Sequence, residues 1–416
     1  MTTSSAVVRV ATAGSVDDGK STLIGRLLFD SKSLMTDQLD QVEEASRRRG
    51  FGRTELALIT DGLRAEREQG ITIDVAWRYF ATADRRFILA DTPGHVQYTR
   101  NMVTGASTAD VAIVLLDAER GATDQTRRHL FIAALLAVPR VILAVNKMDR
   151  VGFDRARYEA LVCDATRWYR TGAGQAPVLG VPLSALRGDN VVERSRETRW
   201  YAGPTLLEAL HESVAPPEDL GPARLPVQWV IRPQEEAHHD YRGLAGRLAE
   251  GTLAIGDDVI VLPAGHTSKV ARLESSGHHV ERAHAGESIV LQLADDIDVS
   301  RGDLVCAAND ALPPVEHLEV DVCWLGTTTL RPGARLTVKH TTRRVTAIVE
   351  EIVHRRDVTE GAIEPATQLQ LNDLGRIKLR LAGPLCVSSY AQSRALGSLL
   401  LIDEATADTV GAAMVR

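Results

Sequence analysis

The sequence predicts an α/β domain with a mostly parallel sheet, followed by two all-β barrel domains. In the first half of the chain, short apolar runs alternate with amphipathic stretches, which is typical of a parallel sheet covered by helices on both faces. A proline- and glycine-rich segment at 216–226 then interrupts this pattern. Beyond it, short alternating runs follow one another at the spacing of small barrels. We therefore expect three domains, at 1–215, 225–309 and 316–416.

Five apolar runs in the first domain predict its strands, and three amphipathic stretches predict its helices. The strands, in chain order, are VVRVATA, FILAD, VAIVLLDA, VILAVNK and VLGVPLSA. The helices are STLIGRLLFD, TDQTRRHLFIAALLA and GPTLLEALHESV. A further helical insert is expected at 32–68.

Runs separated by glycine and asparagine turns predict the strands of the two barrels. Those of the first barrel are PVQWVIR, LAGRLAEGTL, DDVIVLP, SKVARLES, ESIVLQL and DLVCAA. The segment NDALPPVEH at 309–317 marks a second break. The strands beyond it are LEVDVCWL, ARLTVKH, TAIVEEIVH, GRIKLRLA and GSLLLID.

Composition limits the classes of protein to be considered. With 416 residues, 44% hydrophobic and 25% charged, the chain can bury a full core and is not a disordered protein. Its four cysteines are far apart and form no CxxC pair, which argues against a disulfide scaffold or a zinc knuckle. The net charge of −7 disfavours bulk affinity for nucleic acid but leaves a local basic patch open.

The start of the chain and its longest apolar run bear on location. The first residues, MTTSSAVVRVATAG, lack the charged segment and apolar core of a signal peptide. No apolar run reaches the ~18 residues of a membrane span, and the best one, Val111–Asp117, ends at an acid. We expect a soluble cytoplasmic protein that does not contact a membrane.

A glycine-rich loop between the first strand and the first helix matches the pattern GxxxxGK(S/T). Glycines let consecutive backbone N–H groups converge on phosphate oxygens at a helix N-terminus. Lys20 would reach the β and γ phosphates, and the Ser21 hydroxyl would ligate Mg²⁺. The alternative is a glycine-rich turn without a ligand. The residues expected to bind nucleotide here are Gly14, Ser15, Val16, Asp17, Asp18, Gly19, Lys20, Ser21 and Thr22.

Two further segments would respond to the γ-phosphate. The segment DTPGH follows the strand FILAD, so Asp91 can hold Mg²⁺ through water while the Gly94 N–H senses the γ-phosphate. In the segment GITI, Thr72 would give Mg²⁺ a second hydroxyl only when the triphosphate is bound, and hydrolysis would release it. The predicted metal ligands are Ser21, Thr72 and Asp91.

Two segments would select the base. The Asp149 carboxylate can accept hydrogen bonds from guanine N1–H and from the exocyclic amine, a donor pair that adenine lacks. Lys147 would stack its stem over the base, and Asn146 would tie this loop to the phosphate loop. A backbone N–H of Ser184, Ala185 or Leu186 would meet the guanine carbonyl. Five such segments in this order at strand ends predict a GTP-binding switch protein.

A lone histidine such as His95 is most often structural or solvated. Its position directly after DTPG would place it near the γ-phosphate. There an imidazole could orient the attacking water, as a glutamine does in small GTPases. The predicted catalytic residues are therefore His95, Lys20 and Thr72.

The segments GITID, DTPGH and NKMD resemble the translation-factor class of GTPases, whose members carry two β-barrels behind the GTPase domain. Within that class, nearly the whole chain resembles the family of the large subunit of bacterial ATP sulfurylase, or sulfate adenylyltransferase (CysN). The stretches GSVDDGKSTLIGRLLFDSK, LALITDGLRAEREQGITIDVAWRYF and DTPGHVQYTRNMVTGASTADVAIVLLDA carry this resemblance. The chain has QYTRNM where tRNA-carrying elongation factors have a different pattern.

The resemblance implies that the chain hydrolyses GTP and pairs with a smaller adenylyltransferase subunit (CysD-like), as a heterodimer or a higher complex. That partner would join ATP and sulfate into adenosine 5′-phosphosulfate and pyrophosphate, and GTP hydrolysis would drive this uphill reaction. The adenylyl-transfer residues would lie on the partner. No second GxxxxGK(S/T) pattern occurs, so a fused adenylylsulfate kinase is not expected and a separate one is a candidate partner.

The chain departs from this family at Val96, where many members have an acid, and in the stretch SSYAQSRALGSLLLID of the final barrel. Two alternatives stay open. A translation factor that binds tRNA or the ribosome has the same fold, but the net charge and QYTRNM disfavour it. A non-catalytic scaffold is disfavoured because Thr72, Asp91 and His95 are all present.

Overall fold

A computed structural model describes residues 7–31, 75–93, 95, 99–213, 221–233 and 241–416. The predicted insert at 32–68 and residues Thr72, Gly94 and Val96 lie outside these described residues. The chain divides into two compact units. One comprises residues 1–216 with 357–362, and the other comprises 217–356 with 363–416. The division into three domains stays a prediction.

The first unit contains a six-stranded sheet. Its strands are β1 (Val7–Ala13), β2 (Ala76–Ala81), β3 (Arg86–Asp91), β4 (Val111–Asp117), β5 (Arg140–Asn146) and β6 (Val178–Pro182). They lie in the order β2-β3-β1-β4-β5-β6, and every neighbouring pair is parallel except β2 with β3. The predicted α/β fold with a mostly parallel sheet is therefore confirmed.

Five helices in the described part of this unit follow the strands. They are α1 (Lys20–Asp30), α2 (Thr99–Ala106), α3 (Asp124–Leu135), α4 (Arg155–Thr171) and α5 (Leu206–His211). Capping boxes start α3 and α5, at Thr123 and Thr205. Helices α2 and α4 were not predicted. Helix α4 buries only a narrow stripe of its 17 residues, and its apolar periodicity in the sequence is therefore weak. The buried residues are Tyr158, Leu161, Ala165 and Tyr169.

Strand β2 was also missed from the sequence. It pairs antiparallel with β3, from Ala76 opposite Asp91 to Ala81 opposite Arg86. As an edge strand it leaves Trp77 and Tyr79 exposed, by 41% and 70%. Arg78 lies between these two aromatic residues, so the strand lacks the continuous apolar run of its neighbours.

The central strands place the functional edge of the sheet. All seven residues of β4 are buried, as are six of the seven in β5. Because β1, β3, β4 and β5 run parallel, their carboxyl ends meet at one edge, as in other open α/β sheets that bind ligands there. The strands that end at this edge do so at Ala13, Asp91, Asp117 and Asn146.

The second unit contains the two β-barrels, as predicted. The strands of the first are β7 (Arg224–Pro226), β8 (Trp229–Ile231), β9 (Gly243–Arg247), β10 (Thr252–Ala254), β11 (Asp258–Leu262), β12 (His266–Ser275), β13 (His278–Val280), β14 (Arg282–His284), β15 (Ser288–Leu293) and β16 (Leu304–Ala307). The main sheet has the order β7-β16-β11-β12-β15-β9-β8, β13 pairs with β12, and β10 pairs with β14. The short strands β7, β13 and β14 were not predicted.

The second barrel is closed by one additional pairing between two of its strands. Its strands are β17 (Pro314–Trp324), β18 (Arg335–His340), β19 (Arg343–Arg356), β20 (Ile363–Glu364), β21 (Leu374–Cys386), β22 (Ser398–Asp403) and β23 (Thr409–Val415). Their order is β18-β22-β23-β17-β21-β19-β20, and β18 also pairs with β19. A short helix, α6 (Arg394–Gly397), precedes β22. No helix among the described residues is both long and apolar enough to cross a membrane.

Candidate functional site

The loop between β1 and α1 has a tightly turned backbone at the functional edge of the sheet. Asp17 and Gly19 have φ values of 68° and 91°, in the left-handed region that side chains disfavour. A Cβ atom on Gly14 would lie 3.0 Å from Leu115 Cβ, and one on Gly19 would lie 2.5 Å from Asn146 Nδ2. The residue before α1 is Gly19, which has no side chain that could cap the helix, so the first N–H groups of α1 suit an anion.

Asp18 braces this loop from within. Its side chain is buried, and Oδ2 accepts a hydrogen bond from the Ser15 N–H at 2.6 Å. Burial raises the pKa of the Asp18 carboxyl, and the Ser15 hydrogen bond and the charges of Lys20 and Arg120 act in the opposite direction. Asp18 is thus a structural part of the loop and depends on nearby cations.

Lys20 lies under the same loop. Its Nζ donates to Gly14 O at 2.9 Å and to Ser15 O at 3.2 Å. Burial lowers the pKa of the Lys20 ammonium, while the charges of Asp91 and Asp18 raise it. Because its partners in the loop are neutral carbonyls, the ammonium can exchange them for phosphate oxygens, which bind a cation more strongly.

Asp91, at the end of β3, and Ser21 are two of the three predicted metal ligands. Asp91 is buried, and the Thr12 hydroxyl donates to its Oδ1 at 3.5 Å. Ser21 is half-buried in the first turn of α1. Carboxylate and hydroxyl oxygens are ligands that Mg²⁺ prefers, so these residues fit that ion. Thr72, the third, lies outside the described residues.

Asn146, the last residue of β5, joins two loops. Its Nδ2 donates to Asp18 O at 2.7 Å, and its Oδ1 accepts from Ala185 N–H at 2.9 Å. The side chain is 2% exposed. One amide therefore fixes the phosphate loop relative to the segment Ser184–Leu186, across which a nucleotide would lie.

Lys147 adopts a left-handed backbone, with φ of 64°, and its ammonium is held at two points. Nζ donates to Asp17 O at 2.5 Å and to Asp117 Oδ2 at 2.7 Å. Burial would raise the pKa of the Asp117 carboxyl, but the hydrogen bonds from Lys147 and from the Glu119 N–H bring it below its usual value. Lys147 therefore lies beside a charged Asp117.

Asp149 lies in a short 3₁₀ helix, Met148–Val151, directly after β5. Its side chain is 12% exposed, and Arg187 Nε is 3.9 Å from Oδ2. This long contact leaves the carboxylate oxygens able to accept hydrogen bonds from a base.

The backbone donors of Ser184 and Ala185 already have protein acceptors. Ser184 N–H donates to Asp189 O at 3.2 Å, and Ala185 N–H donates to Asn146 as described above. Arg26 of α1 holds the other side of this segment by donating to Leu186 O at 2.7 Å. We therefore expect the Leu186 N–H to be the group of this segment that meets a guanine carbonyl.

His95 is exposed, four residues beyond the end of β3. Gly94, immediately before it, lies outside the described residues. The water-positioning role of His95 stays a prediction.

Comparison with known proteins adds to this geometry. Residues 5–216, just over half of the chain, match the family model "Elongation factor Tu GTP binding domain". Residues 317–416 match "GTP-eEF1A C-terminal domain-like". The "Sulfate adenylyltransferase subunit 1" of Salmonella paratyphi C (strain RKS4594) is 47% identical over 413 residues, which cover 99% of this chain and 85% of that protein. The chain belongs to the sulfate adenylyltransferase subunit 1 family.

A second relative is also longer than this chain. The "Bifunctional enzyme CysN/CysC" of Mycobacterium tuberculosis (strain ATCC 25618 / H37Rv) is 49% identical over 412 residues. The match covers 98% of this chain and 67% of that protein. The predicted resemblance to the large-subunit family is confirmed.

Asp117 is a further candidate site residue, which the sequence motifs did not indicate. It ends β4 at the same edge as Asp91 and Asn146, and it holds Lys147. The sequence carried a signal for it, because an acid ends an otherwise apolar run of seven residues. A buried acid in that position needs a partner, which here is Lys147.

Proposed function

We propose that this chain is the GTP-hydrolysing large subunit of a heteromeric sulfate adenylyltransferase. Its site binds and hydrolyses GTP, and the energy drives formation of adenosine 5′-phosphosulfate and pyrophosphate from ATP and sulfate. The adenylylation is uphill because the sulfate–phosphate anhydride is high in energy. Coupling requires a switch whose two states favour different steps of the reaction.

One observation carries this proposal. The phosphate-binding Lys20 and the base-selecting Asp149 belong to two loops that Asn146 and Lys147 tie together at one edge of the sheet. This arrangement suits a guanine nucleotide whose phosphates meet the loop and whose base reaches Asp149. It occurs in a chain that resembles named sulfate adenylyltransferase subunits along nearly its whole length.

The residues that would hold GTP and Mg²⁺ follow from the same arrangement. We assign the phosphates to the loop from Gly14 to Thr22, and the metal to Ser21, Asp91 and Thr72. Bound Mg²⁺ would neutralise charge on the β and γ phosphates. The chain itself supplies the converging N–H groups, the Lys20 ammonium, and a water-orienting imidazole at His95.

The family name indicates a subunit of a larger complex, and we propose a smaller adenylyltransferase as the partner. That chain would bind ATP and sulfate and carry the adenylyl-transfer residues. A separate adenylylsulfate kinase is a second candidate partner. A cytoplasmic location, away from membranes and nucleic acid, stays a prediction of the sequence.

The test is purification of the tagged chain from its native host, followed by a pyrophosphate-release assay with ATP and sulfate. We expect release to increase with GTP, and not with GDP or a non-hydrolysable GTP analogue. Consumption of GTP and release of pyrophosphate should rise together. Release that is independent of GTP, or co-purification of tRNA without any adenylylation, would contradict the proposal and favour a translation factor.

His95→Ala should separate binding from turnover. We expect the Kd for GTP to change by less than about twofold and kcat to fall by about 100-fold, the scale of a positioned proton-transfer group. Single-turnover hydrolysis and a fluorescent-nucleotide titration measure the two quantities. The matched control is His266→Ala, an exposed histidine of β12 in the first barrel. Unchanged turnover in His95→Ala would remove the water-positioning role.

A further inference from the structure

Arg120, in the turn after β4, reaches back to the phosphate loop. Its Nη2 donates to Asp18 Oδ1 at 2.8 Å and to Val16 O at 2.8 Å. Its Nε lies 3.5 Å from Asp117 Oδ2. One guanidinium therefore contacts a side chain of the loop, a carbonyl of the loop, and the acid that ends β4.

The turn that carries Arg120 is itself held in place. Asp117 Oδ1 accepts from the Glu119 N–H at 2.8 Å. From the other side, Arg157 of α4 donates to Ala118 O at 2.7 Å and to Glu119 O at 2.8 Å. Because hydrogen bonds fix the backbone of this turn on both sides, Arg120 approaches the phosphate loop from a defined position.

Arg120 also completes an alternating set of charges. The side chains of Asp18 and Asp117 are only 1% and 3% exposed. Lys147 binds Asp117, whereas Lys20 and Arg120 are the cations that act on Asp18. A buried carboxylate without a partner is costly. In the absence of Arg120, Asp18 would therefore draw on Lys20, whose ammonium the nucleotide phosphates also need.

We infer that Arg120 is a positioning residue for nucleotide binding: it neutralises Asp18, so that Lys20 stays available to the phosphates, and it fixes the loop through Val16 O. This inference rests on the proposed binding of GTP. Arg120 acts through the loop and does not itself contact the phosphates. Its removal should therefore weaken nucleotide binding more than it slows hydrolysis of bound GTP.

Arg120→Gln tests this with a KM-against-kcat comparison. We expect the KM for GTP and the Kd for fluorescent GDP and GTP analogues to rise about tenfold, the scale of one charge-assisted hydrogen bond, with kcat changed by less than about threefold. Arg120→Lys keeps the charge and should recover part of the affinity. The matched control is Arg155→Gln, which removes an exposed ion pair with Glu159 on α4 and should change neither quantity.

A double-variant cycle tests the pairing with Asp18. In an Asp18→Asn background, Arg120→Gln should weaken binding by much less than it does in the wild-type chain, because the neutral side chain no longer needs the guanidinium. Equal losses in both backgrounds would overturn the inference. So would a lower melting temperature of Arg120→Gln with unchanged nucleotide affinity. Failure of the wild-type chain to bind GTP would instead reject the proposed function.

Discussion

Replacing Lys20 by alanine is expected to lower kcat/KM for GTP hydrolysis by about 10²–10³-fold, the usual cost of removing one pre-organised charge from the transition state. In the structure, the Lys20 ammonium has neutral carbonyls, Gly14 O and Ser15 O, as its hydrogen-bond partners. Phosphate oxygens attract it more strongly, and most strongly as charge shifts towards the leaving group. Phosphate release under single-turnover and steady-state conditions measures the effect.

The same truncation elsewhere provides the control for Lys20→Ala. Lys269 forms an exposed ion pair with Asp258 between two strands of the first barrel, and such pairs contribute little. Lys269→Ala should therefore keep wild-type kinetics. Thermal melting of Lys20→Ala and Lys269→Ala checks that any loss of activity does not come from unfolding. A loss in kcat/KM of less than about threefold would show that Lys20 does not act on the phosphates.

Asp149→Asn is expected to raise the Kd for GTP by about 100-fold or more. The carboxylate would lose two charge-assisted hydrogen bonds, each worth about 1.5–3 kcal/mol, and the new amide N–H would face the guanine exocyclic amine, donor against donor. Xanthine carries a carbonyl where guanine carries that amine. The variant should therefore bind xanthosine triphosphate better than GTP, which a competition titration with fluorescent nucleotide can measure.

Asp164→Asn is the matched control for the change in base preference. Asp164 lies on the exposed side of α4 and pairs there with Arg167. Its variant should bind GTP as the wild-type chain does and should reject xanthosine triphosphate. If Asp149→Asn and Asp164→Asn behaved alike, guanine selection would have to lie elsewhere. Equal hydrolysis of ATP and GTP by the wild-type chain would instead mean that Asp149 does not select guanine.

The fold was predictable from the sequence where elements are buried on both faces. Strands β4 and β5 are nearly all buried, so their apolar runs stand out. Edge and surface elements were missed for the opposite reason. Strand β2 exposes Trp77 and Tyr79, and helix α4 buries only a narrow stripe. In each of these, local sequence reflects solvent as much as the core, and its periodicity is weak.

The candidate site divides in the same way. Glycines with a required backbone conformation and polar groups at strand ends are encoded locally, so spacing in the sequence points to Gly19, Lys20, Asp91 and Asn146 as candidates. Spacing does not show which hydrogen-bonding groups already have partners within the protein. The Ala185 N–H, a candidate donor to guanine, donates to Asn146 Oδ1, and this shifts the expected donor to Leu186.

By itself, the sequence determined the class of fold, the positions along the chain of the buried strands of the first domain and of α1, α3 and α5, and the residue types available for phosphate, metal and base. Only the tertiary structure decided which charges meet. Asp18 and Arg120 are 102 positions apart, and Lys147 lies 30 positions beyond Asp117. Their pairing depends on β4 lying between β1 and β5 in the sheet. Strand order is set by packing of the whole core, so no local pattern in the chain specifies these contacts.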